Sequence, residues 1–157
     1  MINRALFTSK NQEWETPQEL FDRLNEEFNF TIDLAGNSIN HKLQHYYNLE
    51  QNALRQDWSN ERAFLNPPYG RKIGQWLKKC AETQQKNKQL VIPPLSVNSP
   101  IIVALLPART STIWFHKYCY NQPGVDMRFI KGRLKFELGG EPVENSAPFP
   151  SMIVIWR

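Results

Sequence analysis

The stretch Arg62-Ala63-Phe64-Leu65-Asn66-Pro67-Pro68-Tyr69-Gly70 decides how this chain is read. Its first four residues rise as an apolar strand. Two consecutive prolines then forbid both a continued ladder and an immediate helix, so the strand stops at Asn66. Beyond the stop, Ile73, Trp76, Leu77 and Cys80 recur at helical spacing on an otherwise basic segment. Strand, proline turn and helix are the building unit of an open α/β sheet, and such sheets bind ligands beyond the carboxyl ends of their strands. The tetrapeptide Asn66–Tyr69 therefore sits where a site is expected.

Working outward, Thr16-Pro17-Gln18-Glu19 reads as a capping box opening a helix, with Leu20, Phe21, Leu24 and Phe28 as its apolar stripe. Phe28 to Leu34 alternates and predicts a strand, which runs through Asp33-Leu34-Ala35-Gly36-Asn37 into a tight turn and a short helix; His45 to Tyr47 predicts another short strand. After the basic helix, Leu90 to Pro100 reads as an extra loop. Ile101 to Leu106 is a continuous apolar run of the kind found in central parallel strands. A helix around Thr112–Tyr120 follows, then strands Met127–Phe136 and Ser151–Trp156, with Gly139-Gly140, Pro148 and Pro150 marking the loop between them. The expected fold class is α/β, a compact layered domain whose sheet is mostly parallel with an antiparallel end.

With 157 residues the chain predicts one domain over 1–157, of which 1–12 are expected to be flexible. Hydrophobic residues make up 41% and charged residues 22%, which excludes the disordered and fibrous classes. No run of about eighteen apolar residues exists, so no membrane span is expected. The opening residues lack the apolar centre of a signal peptide, which makes the expected compartment the cytoplasm. Cys80 and Cys119 stand far apart with no Cys/His cluster, predicting neither a disulfide framework nor a bound metal. The net charge of +4 is mild, but its distribution is uneven. Arg71, Lys72, Lys78, Lys79, Lys86 and Lys88 face a single Glu82, and Arg128 to Phe136 carries Arg128, Lys131, Arg133 and Lys135 with no acid. On a strand, alternation puts Lys131, Arg133 and Lys135 on one face and Leu134 and Phe136 toward the core.

The tetrapeptide suits one reaction. An exocyclic aromatic amine is a poor nucleophile because its lone pair is delocalised into the ring, so a catalyst must accept its protons and turn the lone pair outward. The Asn66 side-chain oxygen can accept one N–H, and the Pro67 carbonyl, free of a ladder, can accept the other, while Pro68 rigidifies the turn. Tyr69 offers a ring on which a base swung out of a duplex can stack. A plain proline turn ending a strand is the competing explanation.

The chain resembles the Dam-like DNA N6-adenine methyltransferases of phages and prophages. The resemblance spans nearly the whole chain and rests on Trp14-Glu15-Thr16-Pro17, Glu19-Leu20-Phe21, Ile32-Asp33-Leu34-Ala35, Asp57-Trp58, Phe64-Leu65-Asn66-Pro67-Pro68-Tyr69-Gly70, Trp76-Leu77, Leu106-Pro107-Ala108-Arg109-Thr110, Phe129-Ile130-Lys131-Gly132-Arg133-Leu134-Lys135-Phe136 and Ala147-Pro148-Phe149-Pro150. It implies a Rossmann-like sheet, S-adenosyl-L-methionine as cofactor and double-stranded DNA as substrate, in a monomer of a bacterial or phage-infected cell. It also implies that Thr16 and Asp33, with the backbone of Leu34 and Ala35, hold the methionine end of the cofactor; that Asp57 and Trp58 flank its adenine; and that Asn66 borders both cofactor and substrate. With no separate recognition domain, Arg71, Lys72, Lys131, Arg133 and Lys135 are the candidates for DNA contact.

The sequence departs from the family pattern in two respects. The usual glycine-rich loop is reduced to Ala35-Gly36-Asn37, and the acid that grips the ribose has only Asn48 and Glu50 as candidates. The stretch from Asp33 to Asn66 is also short, which predicts a trimmed nucleotide half. Two other functions fit the tetrapeptide: amino-methylation of RNA or of a glutamine side chain, and DNA binding without catalysis. Retention of Asp33, Asp57 and Asn66 argues against the last.

Overall fold

The computed structural model describes residues 14–91 and 96–157. The expected flexible start, 1–12, and the middle of the expected Leu90–Pro100 loop lie outside the described residues. Helix α1 spans Gln18–Phe28, strand β1 Ile32–Asp33, β2 Arg62–Leu65, α2 Ile73–Leu90, β3 Ile101–Pro107, β4 Val125–Phe129, β5 Glu137–Leu138, β6 Glu141–Pro142 and β7 Ser151–Trp156. Five strands form one sheet in the order β1-β2-β3-β7-β4, and β5 pairs with β6 in a separate hairpin.

β1, β2 and β3 are parallel, whereas β7 is antiparallel to both of its neighbours. The antiparallel strand is therefore inside the sheet rather than at its end, and β4 regains the direction of β3. Every residue of β3 and of β7 is buried, as their unbroken apolar runs require of strands covered on both faces. The register puts Phe64, Val103 and Ile153 on one face, where Phe21 of α1 meets Phe64 edge-on at 5.0 Å between ring centroids. Trp156 falls on the other face and donates its indole N–H to the Tyr118 carbonyl at 3.1 Å, in the π-helical turn Phe115–Cys119 that packs against α2. The result is three layers, helix on sheet on helix.

Several expected elements are shorter than the sequence suggested. α1 begins at Gln18 with Pro17 as its cap and no side-chain capping bond, so Thr16 is not the N-cap. Its hydroxyl is occupied elsewhere, and the Gln18 N–H is instead received by Glu137 Oε1 at 3.0 Å. The expected strand Phe28–Leu34 contracts to two residues, because Asn29 turns left-handed (φ 51°) to end α1 and Asn25 Oδ1 accepts the Phe30 N–H. No short helix follows Asp33. The chain turns there, and a Cβ on Gly36 would lie 3.0 Å from His41 Cβ and 3.1 Å from Tyr46, so a side chain has no room. Tyr46 contributes a single bridge to Asp33 in place of a strand over His45–Tyr47.

The expected strand Met127–Phe136 ends at Phe129. Gly132 turns with φ +77°, and the residues after it run beside Val143–Ala147 through Val143 N–H to Phe136 O and Ala147 N–H to Leu134 O, both 2.8 Å. Lys131, Arg133 and Lys135 are all exposed, but on this irregular arm rather than on a strand. Where the sequence predicts only a loop, the hairpin β5–β6 forms. Gly139 and Gly140, at φ +62° and +80°, are the pair of left-handed residues that a two-residue turn needs.

Candidate active site

The parallel strands β1, β2 and β3 end at one edge of the sheet, bringing Asp33, Asn66–Tyr69 and Pro107–Arg109 to the same rim. Asn66 is held by both of its amide protons: Nδ2 donates to the Trp14 carbonyl at 2.7 Å and to Thr16 Oγ1 at 3.0 Å. A flipped amide would press its oxygen against the Trp14 carbonyl, so the orientation is settled by repulsion. Its Oδ1 is consequently a buried acceptor, and among the described residues nothing donates to it. Such an atom is costly to leave unpaired. Next to it, the Pro67 carbonyl receives no hydrogen bond from the described residues, and the Pro67 and Pro68 nitrogens carry no proton to compete for an acceptor.

Tyr69 is placed differently from its expected role. The ring is buried; it meets Phe136 and Phe149 edge-on at 6.1 and 5.9 Å, and its hydroxyl donates to the Leu105 carbonyl at 3.0 Å. Burial holds the phenol well above its ordinary pKa. Tyr69 fastens the proline turn to β3, with its ring packed in this aromatic cluster.

Asp33 is buried, with Oδ1 accepting the Ala35 N–H at 3.1 Å and Oδ2 the Lys42 N–H at 2.9 Å. Loss of water raises its pKa, while the two N–H groups and the nearby Lys42 and His41 charges pull the other way. Two of its roughly four acceptor positions remain open. Leu34 is core, and its N–H continues the pairing to Phe64 O at 2.9 Å; Ala35 is half-buried in the turn.

Thr16 is buried beside Asn66. The expected pair Asp57 and Trp58 is split: Asp57 lies away from this rim, while Trp58 packs against the first turn of α2, beside the proline turn. Asp57 is exposed and ion-paired with Lys86 at 2.8 Å, thirteen residues into α2 from Ile73 and so about 20 Å along it. That ammonium, with Ser59, holds the Asp57 carboxyl far below its usual range. Trp58 is fully buried: its indole N–H donates to Ala53 O at 2.8 Å and its ring stacks on Trp76. An exposed Asp beside a core Trp accounts for both residues. Of the ribose candidates, Asn48 engages its backbone N–H and Oδ1 in a reciprocal pair with Gln51, two bonds of 2.9 Å, and Glu50 is exposed.

The sequence reading missed how the rim is tied together. Glu15 is buried and bridges Glu137 through two backbone bonds of 3.1 and 3.0 Å, and both of its carboxylate oxygens lie 3.3 Å from the Gly140 N–H. The hairpin is thus strapped to the segment Trp14–Thr16 that holds Asn66. The signal available was Gly139-Gly140 itself, a hairpin turn sequence. Arg71 and Lys72 are exposed where α2 begins, beside the proline turn. No group of three potential metal ligands occurs among the described residues, and no helix among them is long and apolar enough to cross a membrane.

Residues 4–157 match the family described as DNA N-6-adenine-methyltransferase (Dam). The DNA N-6-adenine-methyltransferase of Haemophilus phage HP1 (strain HP1c1) is 27% identical over 149 residues, covering 92% of this chain and 78% of the relative. YfdM of Escherichia coli (strain K12) is 41% identical over 64 residues, covering 36% of this chain and 70% of the relative.

Proposed function

The chain belongs to the Dam family of DNA N-6-adenine-methyltransferases, and from that premise we propose that it methylates the exocyclic amine of an adenine swung out of double-stranded DNA, with S-adenosyl-L-methionine as the methyl donor. The observation that carries this reading is the buried Asn66 Oδ1, unpartnered among the described residues. It is an acceptor without a proton, fixed in orientation by Trp14 and Thr16, beside a second free acceptor on Pro67. An amine N–H pair is the complement of that arrangement.

Asn66 Oδ1 and the Pro67 carbonyl accept one N–H each, which turns the nitrogen lone pair out of conjugation with the ring. Both acceptors gain strength as the nitrogen becomes positive during transfer, so they stabilise the transition state more than the ground state. The prolines keep the two oxygens in place without reorganisation.

The residues on β1 fit the cofactor. Asp33 is a desolvated carboxylate with open acceptor positions, a group that an ammonium relieves. Asp33 would hold the ammonium, Thr16 the carboxylate, and the turn at Leu34 and Ala35 would admit the chain closely. When bound, the cofactor supplies an electrophilic methyl group. Arg71, Lys72, Lys131, Arg133 and Lys135 would follow the phosphates. In this reading the enzyme is a monomer with a compact Rossmann-like sheet that works in the cytoplasm of a bacterial or phage-infected cell.

The test is transfer of labelled methyl from the cofactor to duplex DNA, followed by digestion to nucleosides. Label in N6-methyladenine, lost in Asn66→Ala, is the expected result. Label on RNA or on protein glutamine, with none on DNA adenine, would overturn the assignment.

A further inference from the structure

The loop that leaves β3 carries a cation that nothing in the described structure uses. Arg109 is exposed, and its guanidinium makes no hydrogen bond or ion pair with any described residue. Arg23, Arg128 and Arg157 are paired with Glu19, Glu27 and Asp126, whereas Arg55, Arg71 and Arg133 are, like Arg109, exposed without an ion pair among the described residues. The Arg109 backbone, by contrast, is pinned on every side. Its N–H reaches Pro107 O at 2.9 Å, and its carbonyl receives both the N–H and the hydroxyl of Thr112, at 3.3 and 2.8 Å. The preceding Ala108 N–H is held by Pro150 O at 2.8 Å, and the following Thr110 carbonyl lies 2.7 Å from His116 Nε2. The loop therefore presents its charge from a fixed base.

That base lies on the rim of the site. β3 runs parallel to β2 with Ala104 opposite Leu65, so the residues after Leu105 continue alongside Asn66–Tyr69. The Tyr69 hydroxyl is bonded to Leu105 O, and Tyr69 lies within the electrostatic reach of Arg109. An exposed guanidinium that is unpaired among the described residues, carried on a fixed backbone at the same rim as two acceptors suited to an adenine amine, matches the phosphodiester of the nucleotide that carries that amine, which its planar fork can bind through two oxygens.

We infer that Arg109 clamps the target-strand phosphate next to the methylated adenine and so sets the height of the base over Asn66. The inference rests on the DNA-methyltransferase reading above. Three measurements test it: cofactor affinity by calorimetry, DNA affinity against salt concentration, and steady-state methylation of duplex DNA by wild type, Arg109→Ala and Arg109→Lys.

The expected result is that Arg109→Ala binds cofactor and melts as the wild type does, shows a salt slope lower by about 0.9, and loses about tenfold or more in kcat/KM for DNA. Arg109→Lys should restore the slope, since the charge returns, but not the full kcat, since a point charge cannot grip two oxygens. Unchanged slope and unchanged kcat/KM in Arg109→Ala, with an active wild type, would overturn the clamp. Full recovery of kcat in Arg109→Lys would reduce it to non-specific attraction. A wild type that binds cofactor but methylates no DNA adenine would instead overturn the underlying reading.

Discussion

Thr16 Oγ1 lies 3.0 Å from Asn66 Nδ2 and accepts its hydrogen bond, so the amide at the end of β2, oriented by the Trp14 carbonyl, is steadied by a residue fifty positions earlier. Removing the amide, in Asn66→Ala, should leave cofactor affinity near that of the wild type and lower methyl transfer by about a hundredfold or more, the typical cost of losing an oriented group of this kind. Removing only the partner, in Thr16→Val, leaves the bond to Trp14 O and should cost about tenfold in kcat. Turnover of both variants on one duplex, with calorimetry as control, decides this; equal losses would mean that Thr16 does more than orient Asn66.

Burial raises the Asp33 pKa above its unfolded value of 3.8, so the folded protein holds this proton more tightly than the unfolded one. The carboxyl's contribution to stability is then greatest below the unfolded pKa and falls as pH rises through the folded one. Melting temperatures of the cofactor-free protein from about pH 4 upward should show the wild type losing ground against Asp33→Asn as pH rises. Cofactor should reverse the order by supplying a cation. The same substitution is expected to weaken cofactor binding about ten- to a hundredfold, the worth of a charged hydrogen bond of roughly 1.5–3 kcal/mol.

Asp57 and Trp58 separate cleanly in the structure, and their variants should separate as well. Asp57→Ala removes only an exposed ion pair, so stability should move by less than about 1 kcal/mol and cofactor affinity by less than about twofold. Trp58→Ala empties a core position and should cost roughly 3–5 kcal/mol in denaturant unfolding. A large loss of cofactor affinity in Asp57→Ala would return that residue to the site.

Tyr69→Phe leaves the Leu105 carbonyl buried without its donor. A loss of about 1–3 kcal/mol in stability is expected, with comparable effects on duplex and single-stranded substrates, because the ring packs against Phe136 and Phe149 rather than meeting a base. A selective loss on duplex would place the ring against the flipped adenine.

The exposed arm bearing Lys131 and Arg133 lies next to Phe136, which anchors it in the aromatic cluster containing Tyr69. Replacing both cations by Ala should lower the salt slope of DNA binding by about 0.9 per lost phosphate contact, without changing cofactor affinity. An unaltered slope would place the DNA on another face.

The elements legible in the sequence are those whose signal is local. Arg62–Leu65, Ile101–Pro107 and Ser151–Trp156 are apolar runs bounded by breakers, and α2 has a regular stripe; all four form close to where the pattern puts them. Asn66 was legible because a polar residue between a buried strand and two prolines has few structural uses. The capping box at Thr16 misled because the same hydroxyl serves Asn66 and the helix is closed by Glu137, more than a hundred residues away. Asp57-Trp58 is ambiguous in sequence because a neighbouring acid and aromatic read alike whether they grip a ligand or split between surface and core. The strap from Glu15 to Glu137 and Gly140 leaves no periodic trace in sequence, since it joins two short segments by two backbone bonds and one carboxylate.

The placement of β7 between β3 and β4 governs how the protein can be made. Among the described residues β4 pairs only with β7, and β3 pairs with β7 from Ile102 to Pro107. During synthesis both flanking strands leave the ribosome before the one that joins them, and until Ser151–Trp156 appears, β3 carries a bare apolar edge and β4 has nothing to pair with. A chain interrupted between Phe129 and Ser151 would lose two strands rather than one and expose a template for aggregation. Nonsense and frameshift changes upstream of Ser151 should therefore act as complete losses, and the nascent chain should lean on chaperones until β7 arrives.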